Sequence, residues 1–516
     1  MKVLITTSGL GSRIGNYTKY TNKCLVPIGD NAAISHIIES YSINTEFVIT
    51  LGYRGDLVKQ FVRLAHPDRN VEFVEVDKYE GGGSSLLYSI YQAKQLLQCR
   101  FIFHACDTIV AKYDISDDHN WIGCSAPIEN NNAYRSINTR GEYVEKINDK
   151  GEIVYDYEFI GIFGIVDYKH FWETAYQVLQ THKQPSDYDV LKQMLDVDKF
   201  KYKELHNWYD IGNGSSLKKT QEDYPNSYSV LPKEQESIFF LRDGVIKFFS
   251  DETVCQNRIV RSKLLKGAVP QVQYSSNNFY KYKFCNGELL AHIANPILID
   301  KLLKWTNDTL WTKKYDDTGF DKTCLQFYKT KTLERVKQFL TSNNLHDQTS
   351  VINGIKIPPV LDLIDTIDFS KLCETKPSDF HGDFILDNII YNKDQDKFTL
   401  LDWRQSFGDD VERGDMKYDL AKLNHNLVLN HNILLDNHFE VSGDKELTID
   451  VLVSKNLLNC KSSLRSFCDN KDIPFDQIEL LSALIWLNMS PLHHYPLNKF
   501  LFYFGKYNLY QVLYEN

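Results

Sequence analysis

The chain has 516 residues, 43% of them hydrophobic and 24% charged, with a formal net charge of −10. This length exceeds one ordinary core and predicts roughly two to four domains, in a composition that excludes disordered and fibrous classes. The acidic balance excludes the basic footprint of a polyanion binder, so no nucleic-acid partner is expected.

The N-terminus, Met1-Lys2-Val3-Leu4-Ile5, carries one basic residue and runs straight into a glycine loop. It reads as a first strand and not as a signal peptide. The late apolar run Leu480–Leu487 is too short to span a bilayer, and the expectation is a cytoplasmic protein without membrane insertion. Ten cysteines are scattered without a Cys-x-x-Cys pair, which argues against a zinc site and against a disulfide framework.

In chain order, the first third alternates strand and helix. Apolar runs at Val3–Thr7, Glu46–Thr50, Val71–Val76 and Phe101–His104 read as strands; Ile34–Tyr41, Leu57–Leu64 and Ser85–Leu97 read as the helices between them. Strands separated by helices imply an α/β fold with a parallel sheet covered on both faces. Ligands of such sheets gather at the carboxyl ends of the strands.

The loops at those ends carry polar chemistry. Gly9, Gly11, Ser12 and Arg13 follow the first strand; glycines let backbone N–H groups approach phosphate oxygens, and Arg13 adds a charged fork. The stretch is neither GxGxxG nor a Walker loop. Together with Asn22-Lys23-Cys24-Leu25-Val26-Pro27 it resembles the signature of the nucleotidyltransferases that activate sugar phosphates or phosphocholine. It departs from that family at Asn22, where a proline is usual, and at Thr6-Thr7-Ser8, where Leu-Ala-Ala is usual.

The resemblance implies a GT-A-like, Rossmann-like domain over 1–224 and assigns roles along it. Gly82, Gly83 and Ser84 would face the nucleotide base, and Arg13 and Lys23 would bind and neutralise the triphosphate. Glu145, Lys146 and Gly161 would meet the acceptor phosphate, and Asp107 and Asp210 would hold Mg²⁺. Read without the resemblance, Asp107 is a polar strand end, and Asp210 is an N-cap for a helix starting near Asn213.

A polar, turn-rich stretch, 225–235, reads as a linker. Beyond it, Ser237–Leu241 and Val245–Phe249 flank Arg242-Asp243-Gly244, a hairpin signal, with Lys247 on its second strand. Lys247 is either a phosphate-gripping lysine or an edge-strand solubility residue. A helix is expected from Glu252 to Leu265, with Glu252 a candidate partner for Lys247.

Further on come His381-Gly382-Asp383, Asn388 and, ending an apolar run, Asp402. Phosphoryl transfer needs a group that orients the acceptor hydroxyl and oxygen ligands that hold Mg²⁺ on the nucleotide. Asp383 suits the first task; Asn388 and Asp402 suit the second. With Gly414-Asp415-Met416-Lys417-Tyr418-Asp419-Leu420-Ala421, this spacing resembles the aminoglycoside phosphotransferase and choline kinase family, and implies a protein-kinase-like domain over 236–516. Leu447–Leu458, Phe475–Leu487 and Leu497–Leu513 read as its closing helices. Trp486, His493, His494 and Tyr495 are either pocket residues or, more simply, packing.

The two resemblances together imply a bifunctional enzyme using ATP and a second NTP (CTP or UTP). One half would phosphorylate a small hydroxyl compound, and the other would convert the product to an NDP-activated sugar for surface glycans. An amino-alcohol kinase fused to a phosphocholine-type cytidylyltransferase is the alternative. A further one has a single active domain regulated by a nucleotide-binding pseudoenzyme.

Overall fold

The computed structural model describes residues 1–113, 118–128, 133–228, 233–443 and 446–515. They form two compact units: Met1–Cys255 with Gln273–Tyr282, and Gln256–Val272 with Lys283–Asn516. No helix among the described residues is long and apolar enough to cross a membrane.

The first unit is built on a nine-stranded sheet. Its strands are β1 (Lys2–Thr6), β2 (Glu46–Leu51), β3 (Asn70–Glu75), β4 (Phe101–Ala105), β5 (Asn120–Ser125), β6 (Arg135–Arg140), β7 (Tyr143–Asn148), β8 (Tyr157–Ile165) and β9 (Phe200–Glu204). The order across the sheet is β3-β2-β1-β4-β8-β5-β9-β7-β6. The first four strands are mutually parallel, and β8 enters antiparallel to β4. Val3, Leu4 and Ile5 are all buried, as a strand covered on both faces requires. On one face lies the helix Gly55–Ala65, whose Leu57, Val58, Phe61 and Val62 are buried at helical spacing.

The expected hairpin is present. Glu236–Leu241 pairs with Gly244–Phe249, Leu241 opposite Gly244, which leaves Arg242-Asp243 as the turn. Its apolar side, Phe239, Ile246 and Phe248, joins Phe279 in the same core cluster as Leu57 and Phe61. The compact units therefore divide beyond the stretch that reads as a linker, because this hairpin packs with the first unit. Of the linker itself, 229–232 lies outside the described residues.

In the second unit, Ile389–Asn392 and Lys397–Leu400 form an antiparallel hairpin leading into Asp402. The helices Met416–Val428, Phe475–Met489 and Leu497–Tyr514 pack around apolar contacts such as Trp486 against Phe504, 4.6 Å between ring centroids. Gly505 permits one close approach: a Cβ there would stand 2.9 Å from the Leu487 side chain and 3.0 Å from its backbone nitrogen. One expected helix is not formed. Glu446–Val451 is a strand and a helix starts only at Lys455; Leu447 and Ile449 are buried while Thr448 and Asp450 are exposed, a period of two.

Candidate functional site

In the first unit, a short strand pairing gathers the site. Tyr209–Asp210 pairs antiparallel with Thr108–Ile109, so that Asp210 sits opposite Thr108, next to Asp107. Ile211 N–H donates to the Asp107 carbonyl at 3.0 Å. Lys23 reaches the same point: its Nζ lies 2.7 Å from Asp107 Oδ2 and donates to Gly212 O at 3.4 Å. Arg13 Nη2 stands 4.0 Å from that carboxylate oxygen, with an exposed side chain. Burial raises the Asp107 pKa, but the Lys23 charge and hydrogen bond, helped by Arg13, outweigh it and hold the carboxyl below its usual range. Asp210 is not a helix cap. Asn213 caps the following helix through a capping box with Ser216, and Asp210 Oδ1 accepts from Gly212 N at 2.9 Å while Oδ2 accepts from Tyr134 Oη at 2.7 Å.

Two carboxylates are an appropriate donor set for one hard divalent cation. Their placement agrees: a Cβ added to Gly212 would lie 2.8 Å from Asp210 Oδ1 and 3.5 Å from Asp107 Oδ2. Only glycine keeps the space between them open.

The remaining expected residues fall into place unequally. Gly11 has φ 66°, and a Cβ there would meet Thr18 at 2.8 Å and Lys23 Cβ at 3.1 Å; its glycine seats the lysine. Gly9, Ser12, Gly82 and Gly83 are exposed, and Ser84 Oγ donates to Gly81 O at 2.7 Å. Gly161 lies over Ala105 and Thr108, with 3.2 Å between Ala105 Cβ and a Cβ placed on it. Glu145 and Lys146 are exposed on β7, Glu145 facing Arg140 at 3.6 Å, and nothing draws them toward the acids.

Lys150, at the turn after β7, lies within electrostatic reach of the site. Burial lowers its pKa, as do the charges of Arg13 and Arg135, while Asp210 and Asp107 act in the opposite direction. Glu158 and Tyr134 are two further residues the sequence did not single out. Glu158 is fully buried; its Oε1 accepts from Tyr155 Oη at 2.6 Å and Ile128 N at 3.3 Å, and Oε2 has no hydrogen-bond partner among the described residues. Tyr134 packs edge-on to Trp208 at 4.9 Å, and the charges of Asp210, Asp107 and Glu158 all act on its phenol. A buried carboxylate oxygen of this kind is ordinarily satisfied by an ordered water, an ion or a bound molecule.

In the second unit, Asp383 is held from two sides. Asn388 Nδ2 donates to its Oδ2 and its carbonyl, each at 3.0 Å, and Lys422 Nζ lies 2.7 Å from its Oδ1. Burial raises the Asp383 pKa, yet the Lys422 charge overrides this and holds it at about 2. The loop before it is fixed by Asp419, whose carboxylate accepts the backbone N–H groups of His381 and Gly382 at 2.8 and 2.7 Å and Trp311 Nε1 at 3.1 Å. His381 Nε2 bonds Leu401 O at 2.8 Å and Leu401 N donates to Asn388 O at 2.7 Å, which ties the Asp383 loop to Asp402.

Asp402 has φ 56°, a left-handed backbone that aspartate and asparagine adopt more readily than other non-glycine residues. It pairs with Arg258. Since its amide nitrogen is engaged, Asn388 Oδ1 stays available as an oxygen ligand, and with the Asp402 carboxylate it suits a magnesium site. Lys247 is buried on its strand within the first unit, and Glu252 is exposed at the start of the helix Glu252–Leu264.

No family model matches the chain. It is similar to the glucose-1-phosphate cytidylyltransferases of Salmonella typhimurium and Salmonella typhi, 35% identical to each over 63 residues. That segment is 12% of this chain and 24% of each relative, so the chain spans about a quarter of the length of the curated relatives it matches. Among solved structures, a Bacillus anthracis protein described as a glucose-1-phosphate thymidylyltransferase is 20% identical, covering 45% of this chain and 98% of that one, with a TM-score of 0.38. The Streptococcus pneumoniae CTP:phosphocholine cytidylyltransferase is 19% identical, covering 43% and 97%, with a TM-score of 0.35.

Proposed function

We propose that the chain is a bifunctional transferase, with nucleotidyl transfer in 1–224, phosphorylation in 236–516, and 225–235 between them. The convergence of Lys23, Asp107 and Asp210 from three distant stretches carries the first half. The similarity of one segment to glucose-1-phosphate cytidylyltransferases supports a sugar phosphate as acceptor.

In this half, an oxygen of the acceptor phosphate forms a bond to the α-phosphorus of an NTP. The α–β bridging bond breaks and pyrophosphate leaves. Lys23 and Arg13 neutralise the charge that grows on the leaving group, preorganised and partly out of water, where such stabilisation counts most. Magnesium held by Asp107 and Asp210 would supply further charge neutralisation on the triphosphate. Lys150, on which Asp107 and Asp210 act, would meet the acceptor phosphate, and Glu158 would accept a hydroxyl of the acceptor.

In the other half, Asp383 orients a hydroxyl of a small molecule toward the γ-phosphate of ATP. A carboxylate held at about 2 is a weak base, which suits a loose transition state in which the hydroxyl proton leaves late. Asn388 and Asp402 would hold the magnesium that neutralises the phosphates. The product of this half is the kind of phosphate ester the first half consumes.

The test is a matrix: ATP with CTP, UTP or GTP against sugars, sugar phosphates and amino alcohols, with products identified by mass. A sugar 1-phosphate converted to an NDP-sugar with pyrophosphate release is expected. Products formed only with choline or ethanolamine would replace the sugar reading with the amino-alcohol one. Nucleotide binding without turnover in one half would make that half a pseudoenzyme.

A further inference from the structure

Beside Asp383 lies a cluster of cations whose neighbours include little compensating negative charge. Phe327 belongs to the π-turn Gln326–Thr330, which runs directly into the helix Lys331–Ser342; such turns often mark functional positions. Lys331 Nζ stands 4.0 Å from the centroid of the Phe327 ring, and Arg404 Cζ stands 5.1 Å from the same centroid. Arg404 is pinned to the Asp383 loop. Its backbone N–H donates to His381 O at 2.9 Å, and its Cβ and Cδ cover Gly382, where an added Cβ would meet them at 2.6 and 3.1 Å. Its Nε is buried without a hydrogen-bond partner among the described residues. Tyr418, 5.0 Å from Phe327, lines the same cleft as Lys331 and lies one helical turn before Lys422.

The charges that act most strongly on Lys331 are all positive, and Glu334, three residues on in the same helix, is exposed. Burial is the main force lowering its pKa, to about 6, and Arg404, Arg335 and Lys422 all push it the same way. The acids nearby are already engaged. Asp383 is bound by Lys422 and Asn388, and Asp415 accepts from Tyr328 Oη at 2.7 Å and Thr375 Oγ1 at 2.9 Å. A half-buried lysine acted on by three other cations is costly unless an anion arrives to pair with it.

The two oxygens of Asp383 tell which substrate that anion belongs to. Oδ2 faces Asn388, the residue assigned to the nucleotide's magnesium, while Oδ1 faces Lys422, a member of the cationic cluster. Lys422, in contact with Asp383, and Arg404, bonded through its backbone to His381, tie the cluster to the residue assigned to orient the acceptor.

We propose that Lys331 and Arg404, flanking Phe327, bind an oxyanion of the molecule phosphorylated at Asp383, so that the acceptor is a hydroxyl compound bearing a carboxylate or a phosphate. This rests on the kinase reading of the second unit. The guanidinium offers the forked donor that planar or tetrahedral oxyanions prefer, and the ammonium adds a point charge. A neutral or quaternary-ammonium acceptor would leave the cluster uncompensated.

The experiment uses the full chain with ATP and Mg²⁺ and acceptors in matched sets: glycerate, glycerol 3-phosphate and glycerol; glucuronate, glucose 6-phosphate and glucose; choline as the cation. The acid members are expected to show kcat/KM at least about tenfold above the neutral ones, and carboxylate against phosphate names the source. Lys331→Met should raise the KM of the preferred acid about tenfold or more with the ATP KM within about twofold, and Lys331→Arg should restore much of the loss. Calorimetric titration with inorganic phosphate and with glycerate supplies a readout free of turnover. If no compound is phosphorylated but one of these anions binds and Lys331→Met abolishes it, the anion site stands and the kinase reading falls. Preference for glycerol, glucose or choline with KM unchanged in Lys331→Met would overturn the proposal. So would a rise in the ATP KM alone, or absence of both turnover and anion binding.

Discussion

Asn22 is fully buried and occupies the position where the resembled family carries a proline. Its Nδ2 donates to Thr7 O at 2.9 Å and Tyr53 O at 2.7 Å, and its Oδ1 accepts from Cys24 N at 3.0 Å. An amide thus fastens the β1 loop and the loop after β2 in front of Lys23. Asn22→Ala should destabilise the protein by about 1–3 kcal/mol, since it strips buried polar groups of their partners; chemical denaturation would measure it. Asp107→Asn and Asp210→Asn should each depress nucleotidyl transfer by about a hundredfold or more while NTP binding survives, because Lys23 and Arg13 still meet the phosphates. Extra Mg²⁺ should rescue them in part, and near-normal pyrophosphate release at ordinary Mg²⁺ would reassign the acids. Glu158→Gln should raise the acceptor KM and leave the NTP KM alone. At this scale Lys23, Asp107 and Asp383 stand out in the sequence through the motifs that carry them, and the structure sets Lys23 against Asp107. Lys150, Glu158, Tyr134 and Lys422 lie in no such motif. Lys422 acquires its meaning only when the helix Met416–Val428 brings it to Asp383, and Glu158 only when β8 buries it.

Among the elements, the pairing of Tyr209–Asp210 with Thr108–Ile109 does most to assemble the first site, and it consists of two residues on each side. Gly212 lies just past it. Gly212→Ala should leave the fold and melting temperature nearly unchanged and cut transfer sharply, because the new methyl group would occupy the gap between the two carboxylates. Unaltered activity in a folded G212A protein would show that the gap is not used. Strands β1 to β4 could be read from the chain because buried parallel strands are continuous apolar runs between helices. Residues 446–451 are read together with the helix that follows, although Leu447, Ile449 and Val451 alternate with exposed residues at the period of a strand; pairing with Phe439–Ser442 confirms that period. Glu145-Lys146 is named from its resemblance to a family pair, and a bulge between Val144 and Lys146 breaks the alternation of β7 there, so side-chain direction on this strand does not follow from counting residues.

For the molecule as a whole, pH acts through histidines buried in the neutral form. Burial lowers the pKa values of His66, His104 and His381 to about 4 and that of His425 to about 3. The unfolded chain takes up protons below its ordinary histidine value of about 6.5 while the folded chain does not. Their stabilisation is therefore complete above that value and declines as the pH falls toward 4. Asp419, raised to about 6 by burial, works the other way: the folded state keeps its proton where the unfolded state loses it, which favours the fold as pH falls from 6 toward 4. Four histidines should outweigh one aspartate. Melting temperatures measured from pH 7.5 to 4.5 should fall steadily, and a flat profile would contradict the burial of these rings. The compact units also bear on how the chain can be cut. Residues 273–282 belong with the first unit although 256–272 belong with the second, and Phe61 rests on Phe239 at 4.8 Å and on Phe279 at 5.9 Å. A fragment ending at 225 would present Leu57 and Phe61 to water and should be less soluble than one extended to 282. The same interleaving constrains inheritance: a single recombination point inside 225–282 cannot exchange one unit for a foreign counterpart without severing the other. Such a gene is expected to pass between genomes whole.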